Sequence, residues 1–306
     1  MTLQEYTKDN PLRIGTDCSG IEAPIQSLRQ LKIPYVSVWC SDIDKYCIQS
    51  IKANYTPNRI YGDKEGDYPD GDIRNRDHNE LPDVDLYVCG FPCQPFSQAG
   101  KGEGLSDKRG NVFWSCIDII RIKKPKYFIL ENVKGILWND KKDKKDKYGN
   151  TWKVIWSKIE KLRELGYYVD WRVMNTRHYG IPQNRERVYI VGTMEGEYVW
   201  PEKCDMDDIK NYIDHDNNEN IFLGLENSNE RNISILYSPC ISKNSRTWCV
   251  IYHRYATLNE LLSLQGFEKN FNKVVSSTQI RYQIGNSMSV NVIREIIKML
   301  LRNITL

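Results

Sequence analysis

The sequence lacks any run approaching the roughly 18 consecutive apolar residues that a membrane-spanning helix needs. Its opening, MTLQEYTKDN, also lacks the charged-then-apolar pattern of a secretion signal. We therefore expect no membrane association and an intracellular location, which is the cytoplasm if the source is bacterial or viral. The nine cysteines are an odd number in a long chain, so we expect reduced thiols rather than a disulfide framework.

A large excess of charge of one sign is also missing. With 43 basic and 40 acidic residues, the net charge of +3 is too small to indicate nucleic-acid binding by itself. The charges are unevenly spread: residues 121–147 contain ten Lys or Arg and four Asp or Glu, whereas residues 196–230 contain ten acidic and two basic residues. The basic stretch could face nucleic acid. Its alternating KKDKKDK run is more typical of a solvated surface linker, which is the interpretation we favour.

Short apolar segments alternate with amphipathic segments through the first 194 residues. This alternation predicts an α/β fold with a mostly parallel sheet and helices on both faces. After Met194 the composition shifts to Asn, Asp, Glu and Ser with weak periodicity, and helical patterns return near Thr257 and Ser289. Ligands of such sheets bind at the carboxyl ends of the strands, and each unusual residue cluster of this sequence falls at such an end.

Two of these clusters carry reactive side chains. Cys93 follows a predicted strand and lies between Pro92 and Pro95, which restrict the backbone around it. A cysteine at a strand end can act as a nucleophile, although a buried small hydrophobe is the commoner role. Glu131 directly follows the apolar run YFIL, where partial desolvation would raise its pKa and allow it to hold or donate a proton. A glutamate at a strand end that simply faces water is the alternative.

Two further clusters suggest binding. Arg185 and Arg187 alternate just before a strand, so both should point to one face, where they suit phosphate or a base carbonyl or form an ordinary surface pair. The turn GTDCSGIEA is not a GxGxxG motif, so it indicates a dinucleotide only weakly. Asp42 ends the second strand, a position from which an acid commonly binds ribose hydroxyls, and Asp72 precedes the third. Together they suggest a nucleoside-containing cofactor without a pyrophosphate.

In this order the clusters resemble one family, the C5-cytosine DNA methyltransferases that use S-adenosylmethionine. The matching motifs span residues 14 to 293 and are DCSG, SDID, GDI, PCQPFS, ENVKG, QNRER, RYATLNELLSLQGF and GNSMSVNVI. The resemblance implies a Rossmann-like methyltransferase domain with a mostly parallel sheet, plus a small irregular target-recognition domain. The implied boundaries are 1–195 for the catalytic and cofactor-binding domain, 196–271 for the target-recognition domain, and 272–306 for a segment that returns to the catalytic domain.

The same resemblance assigns roles to individual residues. Cys93 would add to cytosine C6, Glu131 would contact N3 and supply protonation, and Arg187 would assist at the base carbonyl with Arg185 nearby. The implied cofactor-binding residues are Asp17, Cys18, Ser19, Gly20, Ile21, Asp42, Ile43, Asp72, Ile73, Pro92, Asn286 and Ser287. For DNA, the resemblance implies contacts from Gln94 and Ser97 in the loop that also contains Gln98 and Lys101, and the residues themselves suggest Lys243, Asn244 and Arg246. The last three belong to ISKNSRTW, whose side chains can hydrogen-bond to base edges but could equally form a plain polar loop.

These assignments predict a methyltransferase that acts on C5 of a flipped-out cytosine in a short duplex sequence. We expect double-stranded DNA as partner, no metal site, a monomer, and a cognate restriction endonuclease as a candidate partner. The alternatives are a tRNA cytosine methyltransferase, against which the absence of a Cys-Phe-Thr element argues, and a silent DNA-binding regulator. Two positions depart from the family pattern: Cys18 replaces an aromatic residue and Thr16 replaces an acid, which predicts looser cofactor binding.

Overall fold

The computed structural model describes residues 6–92, 112–141, 143, 145–214, 223–225, 236–243, 247–249 and 253–302. Within these residues the strands are β1 (Leu12–Asp17), β2 (Tyr35–Ser41), β3 (Ile60–Tyr61), β4 (Leu86–Cys89), β5 (Tyr127–Val133), β6 (Tyr168–Asn175), β7 (Glu186–Thr193), β8 (Leu223–Leu225), β9 (Thr247–Cys249) and β10 (Arg254–Tyr255). The α-helices are α1 (Ala23–Leu31), α2 (Lys45–Asn54), α3 (Val112–Lys123), α4 (Asn150–Glu160), α5 (Leu258–Gln265), α6 (Ser277–Asn286) and α7 (Val290–Leu300).

Seven of the described strands form one sheet in the order β3-β2-β1-β4-β5-β7-β6. The pairs from β3 to β5 are parallel, and β7 runs antiparallel to both β5 and β6. The predicted mostly parallel sheet is therefore confirmed. The antiparallel strand has a simple cause: the link from β6 to β7 contains no crossover helix, and strands joined without a crossover pair antiparallel. The short β8, β9 and β10 form a separate antiparallel sheet.

The large sheet is buried on both faces. In β4, Leu86 and Val88 pack into one apolar cluster with α1, α5 and α7, whereas Tyr87 and Cys89 pack into the opposite cluster with α3 and α4. This follows from the period of two along a strand, which sends alternate side chains to opposite faces. Continuous apolar strands of this kind are expected where helices cover both faces.

Several predicted elements match the structure at their ends. The sequence GNTWKVIWSKIEKLRELGY has helical periodicity that stops at Gly166, and the structure agrees: α4 continues as a 3₁₀ turn to residue 165, and Gly166 follows at φ 94°, a left-handed conformation that glycine adopts readily. The helix predicted from Thr257 is α5, whose first residue follows Thr257 as N-cap. The sequence analysis identified no element at α3 or α6. Among the described helices, none combines the length and apolar character that crossing a membrane would demand.

The strand order reverses between β1 and β4. From β1 the chain builds outward through β2 and β3, and from β4 it builds outward in the other direction. Loops leaving β1 and β4 therefore diverge and open a crevice at the carboxyl ends of these two strands, where ligands of open α/β sheets bind. The domain boundaries expected at residues 195 and 271 remain predictions.

Candidate active site

One cavity lies at this crevice, and we call it the cofactor cavity. It collects residues from the β1–α1 turn, the end of β4, the end of β5 and the α6–α7 junction. Its lining is Thr16, Asp17, Cys18, Ser19, Gly20, Ala23, Pro24, Val88, Gly90, Glu131, Asn286, Ser287 and Met288. Six residues that the sequence analysis assigned to the cofactor are therefore brought together with Glu131, across more than 260 positions of sequence.

Glycines keep this cavity open. Gly20 has φ 56°, a left-handed conformation that allows the turn after β1. At Gly90, a Cβ would lie 2.9 Å from Met288 Cε and 3.6 Å from Glu131 Oε2. A larger residue at Gly90 would therefore fill space between the β4 end and Glu131.

Asp17 does not offer its carboxylate to the cavity. The Arg76 guanidinium donates to both of its oxygens at 2.8 and 2.9 Å, and the Tyr87 hydroxyl donates to Oδ2 at 3.0 Å. The Asp17 side chain is fully buried, and Arg76 also stacks over the Tyr61 ring at 4.5 Å. This ion pair fixes the loop after Asp72 against β1. Arg76 is not recognisable as a partner of Asp17 from the sequence, because no local pattern relates two residues 59 positions apart.

Asp42 binds the turn that forms the cavity. Its Oδ2 accepts a hydrogen bond from the Gly20 amide at 2.9 Å, and its Oδ1 accepts one from the Asp44 amide. Burial raises the pKa of Asp42, while these amide hydrogen bonds lower it. Each carboxylate oxygen keeps a further lone pair, so the group can still accept hydroxyl donors.

Asp42 and the remaining predicted cofactor residues lie outside the cavity lining. Gly71 approaches the Asp42 carbonyl so closely that a Cβ there would lie 2.1 Å from the oxygen, which brings the Asp72 loop beside Asp42. The Asp72 carboxylate pairs with Arg74, which lowers the pKa of Asp72. Ile73 is buried, Ile43 is 79% exposed, and Ile21 belongs to the apolar core. Pro92 is exposed at the end of the β4 segment.

Glu131 and Arg187 form an ion pair beside the cavity. Glu131 lies in β5 with its carboxyl buried, and its Oε1 is 3.2 Å from Arg187 Nε. Burial raises the pKa of Glu131, and the positive charges of Arg187 and Arg185 act against that rise. The pair forms because β5 and β7 are neighbouring strands. Arg187 lies opposite Val133, two residues along β5 from Glu131, so the two charged side chains meet diagonally across the sheet.

Arg185 has different contacts from Arg187. It is 2% exposed, and its guanidinium donates to the carbonyls of Ile241 at 2.7 Å, Ser287 at 2.6 Å and Gly285 at 3.2 Å. Burial lowers the pKa of Arg185. Cys240, which the sequence analysis did not consider, places its sulfur 3.6 Å from Arg185 Nη1. Arg185 therefore ties the QNRER loop to the GNS motif and to the segment that begins ISK.

Asn132 was also missed, although it stands inside the ENV motif. Its Nδ2 donates to the Phe91 carbonyl at 2.8 Å, and its Oδ1 accepts from the Val133 amide. Asn132 thereby anchors the chain two residues before Cys93. Cys93 itself lies outside the described residues, as do Gln94, Ser97, Gln98, Lys101, Asn244 and Arg246.

Lys243 is the predicted DNA contact that the structure describes. It is exposed, and its Nζ lies 5.3 Å from the centre of the Tyr282 ring. It lines a second cavity together with Asn286, which also borders the cofactor cavity. Because Asn286 borders both cavities, Lys243 lies near the cofactor cavity.

The residues present fit S-adenosylmethionine. A glycine turn gives backbone access, the cavity lies at the reversal of strand order, and Asp42 supplies a carboxylate of the kind that binds ribose hydroxyls. A pyrophosphate-binding GxGxxG turn is absent from the β1–α1 sequence, which agrees with a cofactor that has no pyrophosphate.

Comparison with known proteins gives a consistent result. The sequence matches the family "C-5 cytosine-specific DNA methylase" over residues 17–249 and 250–302. It is 36% identical over 287 residues to the Type II methyltransferase M.HaeII of Haemophilus aegyptius, covering 85% of this chain and 84% of that protein. It is 34% identical over 286 residues to the Type II methyltransferase M.NgoBI of Neisseria gonorrhoeae, covering 84% and 83%. The solved S. pombe Dnmt2 methyltransferase shares the fold with a TM-score of 0.67, 18% identity, and coverage of 97% and 100%.

Proposed function

Since the chain belongs to the C-5 cytosine-specific DNA methylase family, whose members are S-adenosylmethionine-dependent DNA (cytosine-5-)-methyltransferases, we propose that it methylates a flipped-out cytosine through a covalent adduct of Cys93. The observation that carries this proposal is the Glu131–Arg187 pair beside the cofactor cavity. A Cβ at Gly90, three residues before Cys93, would lie 3.6 Å from Glu131 Oε2, so this acid and its cation lie beside the end of β4 that leads towards Cys93.

The proposed chemistry requires a thiolate, an acid and a cation. The Cys93 thiolate adds to C6 of the cytosine while Glu131 holds a proton at N3, which makes C5 nucleophilic. When bound, S-adenosylmethionine supplies the electrophilic methyl group that C5 takes. The C5 proton then leaves and the thiolate is eliminated, which restores Cys93.

The electrostatics around Glu131 suit this role. Burial favours the neutral carboxyl, which can share its proton with N3 of the base. Once the proton has moved, Arg187 at 3.2 Å compensates the negative charge on the carboxylate. A buried acid without such a cation would be difficult to ionise, and an exposed acid would be ionised from the start.

We propose that Asp42 binds the ribose hydroxyls and that Asp72 and Ile73 lie at the adenine. The β1–α1 turn and Asn286 would then enclose the rest of the cofactor. For DNA, we propose the loop after Cys93 near the flipped base, with Lys243 and its neighbours Asn244 and Arg246 reading base edges from the small domain. A monomer that acts in the cytoplasm, with a cognate endonuclease, completes the proposal. The endonuclease is proposed because the relatives are named Type II methyltransferases.

The test is methyl transfer from labelled S-adenosylmethionine to unmethylated duplex DNA and to bulk tRNA, assayed side by side. We expect label in DNA, and bisulfite sequencing of the product should show protected cytosines in one short context. Cys93→Ser should abolish transfer while DNA binding remains. The exposed cysteine Cys204 offers a matched control, because Cys204→Ser should transfer normally. Label in tRNA alone, or normal turnover by Cys93→Ser, would contradict the proposal.

A further inference from the structure

Glu22 is a buried acid that the reaction does not use. It is the last residue before α1 and has φ 61°, an uncommon left-handed conformation for a residue with a side chain. Its carboxyl is 1% exposed. Oε1 accepts a hydrogen bond from Thr16 Oγ1 at 2.7 Å, whereas Oε2 has no hydrogen-bond partner among the described residues. One hydrogen bond is little compensation for a buried carboxylate.

This single hydrogen bond joins Glu22 to the wall of the cofactor cavity. Thr16 Oγ1 lies 2.8 Å from Ser19 Oγ. Ser19 in turn exchanges hydrogen bonds with the backbone of Ser41 at 3.0 and 3.1 Å. Thr16, Ser19 and the neighbouring Gly20 all line the cavity. Glu22 therefore lies on the core side of the turn that lines the cavity, and its hydrogen bond supports that turn.

The groups that face Glu22 do not compensate a negative charge. Asp17 of β1 and Asp42 beyond β2 both act on it as like charges. The Cys40 thiol and the Tyr55 phenol are also close enough to interact with it. Burial, first of all, and then these two acids raise the pKa of Glu22 to about 8, against a lowering by the Thr16 hydrogen bond.

We propose that Glu22 is a positioning residue of the S-adenosylmethionine site and that it acts in its protonated form. The inference rests on the proposed cofactor cavity. A protonated Glu22 is neutral, so it can remain buried against Thr16 without a counter-ion. Ionisation would place an uncompensated charge in the core beside Asp17 and Asp42, and relieving it requires water or movement of the turn.

The position of Glu22 also accounts for a departure in the sequence. At position 16 this chain has a threonine where the family pattern has an acid. The Thr16 hydroxyl lies 2.7 Å from Oε1 of Glu22. The acid is thus supplied from six residues further along the chain.

The test measures the dissociation constant of S-adenosylmethionine by calorimetry between pH 6.5 and pH 9, without DNA. Because the pKa is raised, the protonated form predominates below about pH 8 and is lost above it. Wild type should therefore bind roughly tenfold more weakly at pH 9 than at pH 7. Glu22→Gln imitates the protonated acid, so it should bind as tightly as wild type at pH 7 and show no decline at pH 9.

Two further variants complete the design. Thr16→Val removes the hydroxyl that Glu22 supports and should weaken binding at every pH. Glu164→Gln changes an exposed acid far from the cavity and should keep the wild-type profile. A flat or rising wild-type affinity, or weak binding by folded Glu22→Gln at pH 7, would overturn the inference while leaving the proposed function intact. Absence of binding by wild type at all pH values would overturn the proposed cofactor site as well.

Discussion

At the scale of single residues, two arginines of one motif have different surroundings. Sequence alternation predicts that Arg185 and Arg187 share a face, and both do come within 4.0 Å of the Cys240 sulfur. Their guanidinium groups nevertheless end in different places. Arg187 pairs with Glu131, whereas Arg185 is enclosed and donates to three backbone carbonyls. Arg185 therefore links three backbone segments around the site, whereas Arg187 takes the role beside Glu131 that the proposed function assigns to it.

Paired substitutions separate these two roles. Arg185→Met removes the guanidinium donor from three buried carbonyls, of which that of Ser287 keeps Gln265 as a second donor, and should reduce the free energy of unfolding by about 3 kcal/mol. Arg187→Met should unfold closer to wild type, since its side chain is partly exposed, but should lower kcat roughly 100- to 1,000-fold by removing the cation beside Glu131. Urea unfolding and methyl-transfer rates measure both effects. An Arg185→Met protein as stable as wild type would contradict the structural role.

At the scale of elements, the motif RYATLNELLSLQGF forms a support for the site. Helix α5 begins with a capping box in which Thr257 accepts from the Glu260 amide and Glu260 accepts from the Thr257 amide. Arg254 donates to both carboxylate oxygens of Glu260. At the other end, Gln265 donates to the Ser287 carbonyl at 2.8 Å and accepts from Gln183. The helix thus links the small β8–β10 region to the GNS motif.

Removing the cap tests this support. Thr257→Ala loses the side-chain acceptor for one amide of the first turn and should reduce the free energy of unfolding by about 1 kcal/mol. Thr257→Ser keeps the hydroxyl and serves as the matched control, with stability near that of wild type. Chemical denaturation monitored by circular dichroism gives both values. Equal stability of the Ala and Ser variants would show that the cap contributes nothing.

At the scale of the whole molecule, the strand order decides where the site lies. The reversal between β1 and β4 opens the crevice. Strand β5, which pairs with β4, places Glu131 beside it. The α6–α7 junction closes the cavity with Asn286, Ser287 and Met288, far along the chain. Helix α7 packs against α1, where Ser27 Oγ donates to the Val290 carbonyl. A ligand in this cavity therefore contacts parts of the fold that come from both ends of the chain.

Such a ligand should stabilise the folded state by mass action. At 100 times its dissociation constant, S-adenosylmethionine should add about 2.7 kcal/mol to the free energy of unfolding. At the same cofactor concentration, Asp42→Asn should show a smaller thermal shift, because it weakens the proposed acceptor for ribose hydroxyls. Asp118→Asn, at an exposed position on α3, should shift as wild type does. Identical shifts for all three proteins would argue against Asp42 as a cofactor contact.

The sequence by itself determined the elements and the order of the motifs. The strand ends at Asp17 and beside Asp42 are readable because an apolar run stops there, whereas Glu131, predicted at a strand end, lies two residues inside β5. Gly166 and Thr257 mark helix ends by their local conformational preferences. Helices α3 and α6 are not recognisable from the sequence, and in each case the local composition explains why. Eight of the twelve residues of α3 are apolar, so it lacks the broad polar face that reveals a helix, and α6 is polar with little apolar periodicity.

Only the tertiary structure determined which of the motif residues come into contact and how their surroundings change their pKa values. The insertion of β7 between β5 and β6 places Arg187 beside Glu131, and the fold pairs Arg76 with Asp17 across 59 positions. The raised pKa of Glu22 comes from its burial beside other acids, which no sequence pattern encodes. Periodicity reports local geometry, whereas ion pairing and protonation depend on distance and on exclusion of water, and these exist only once the chain has folded.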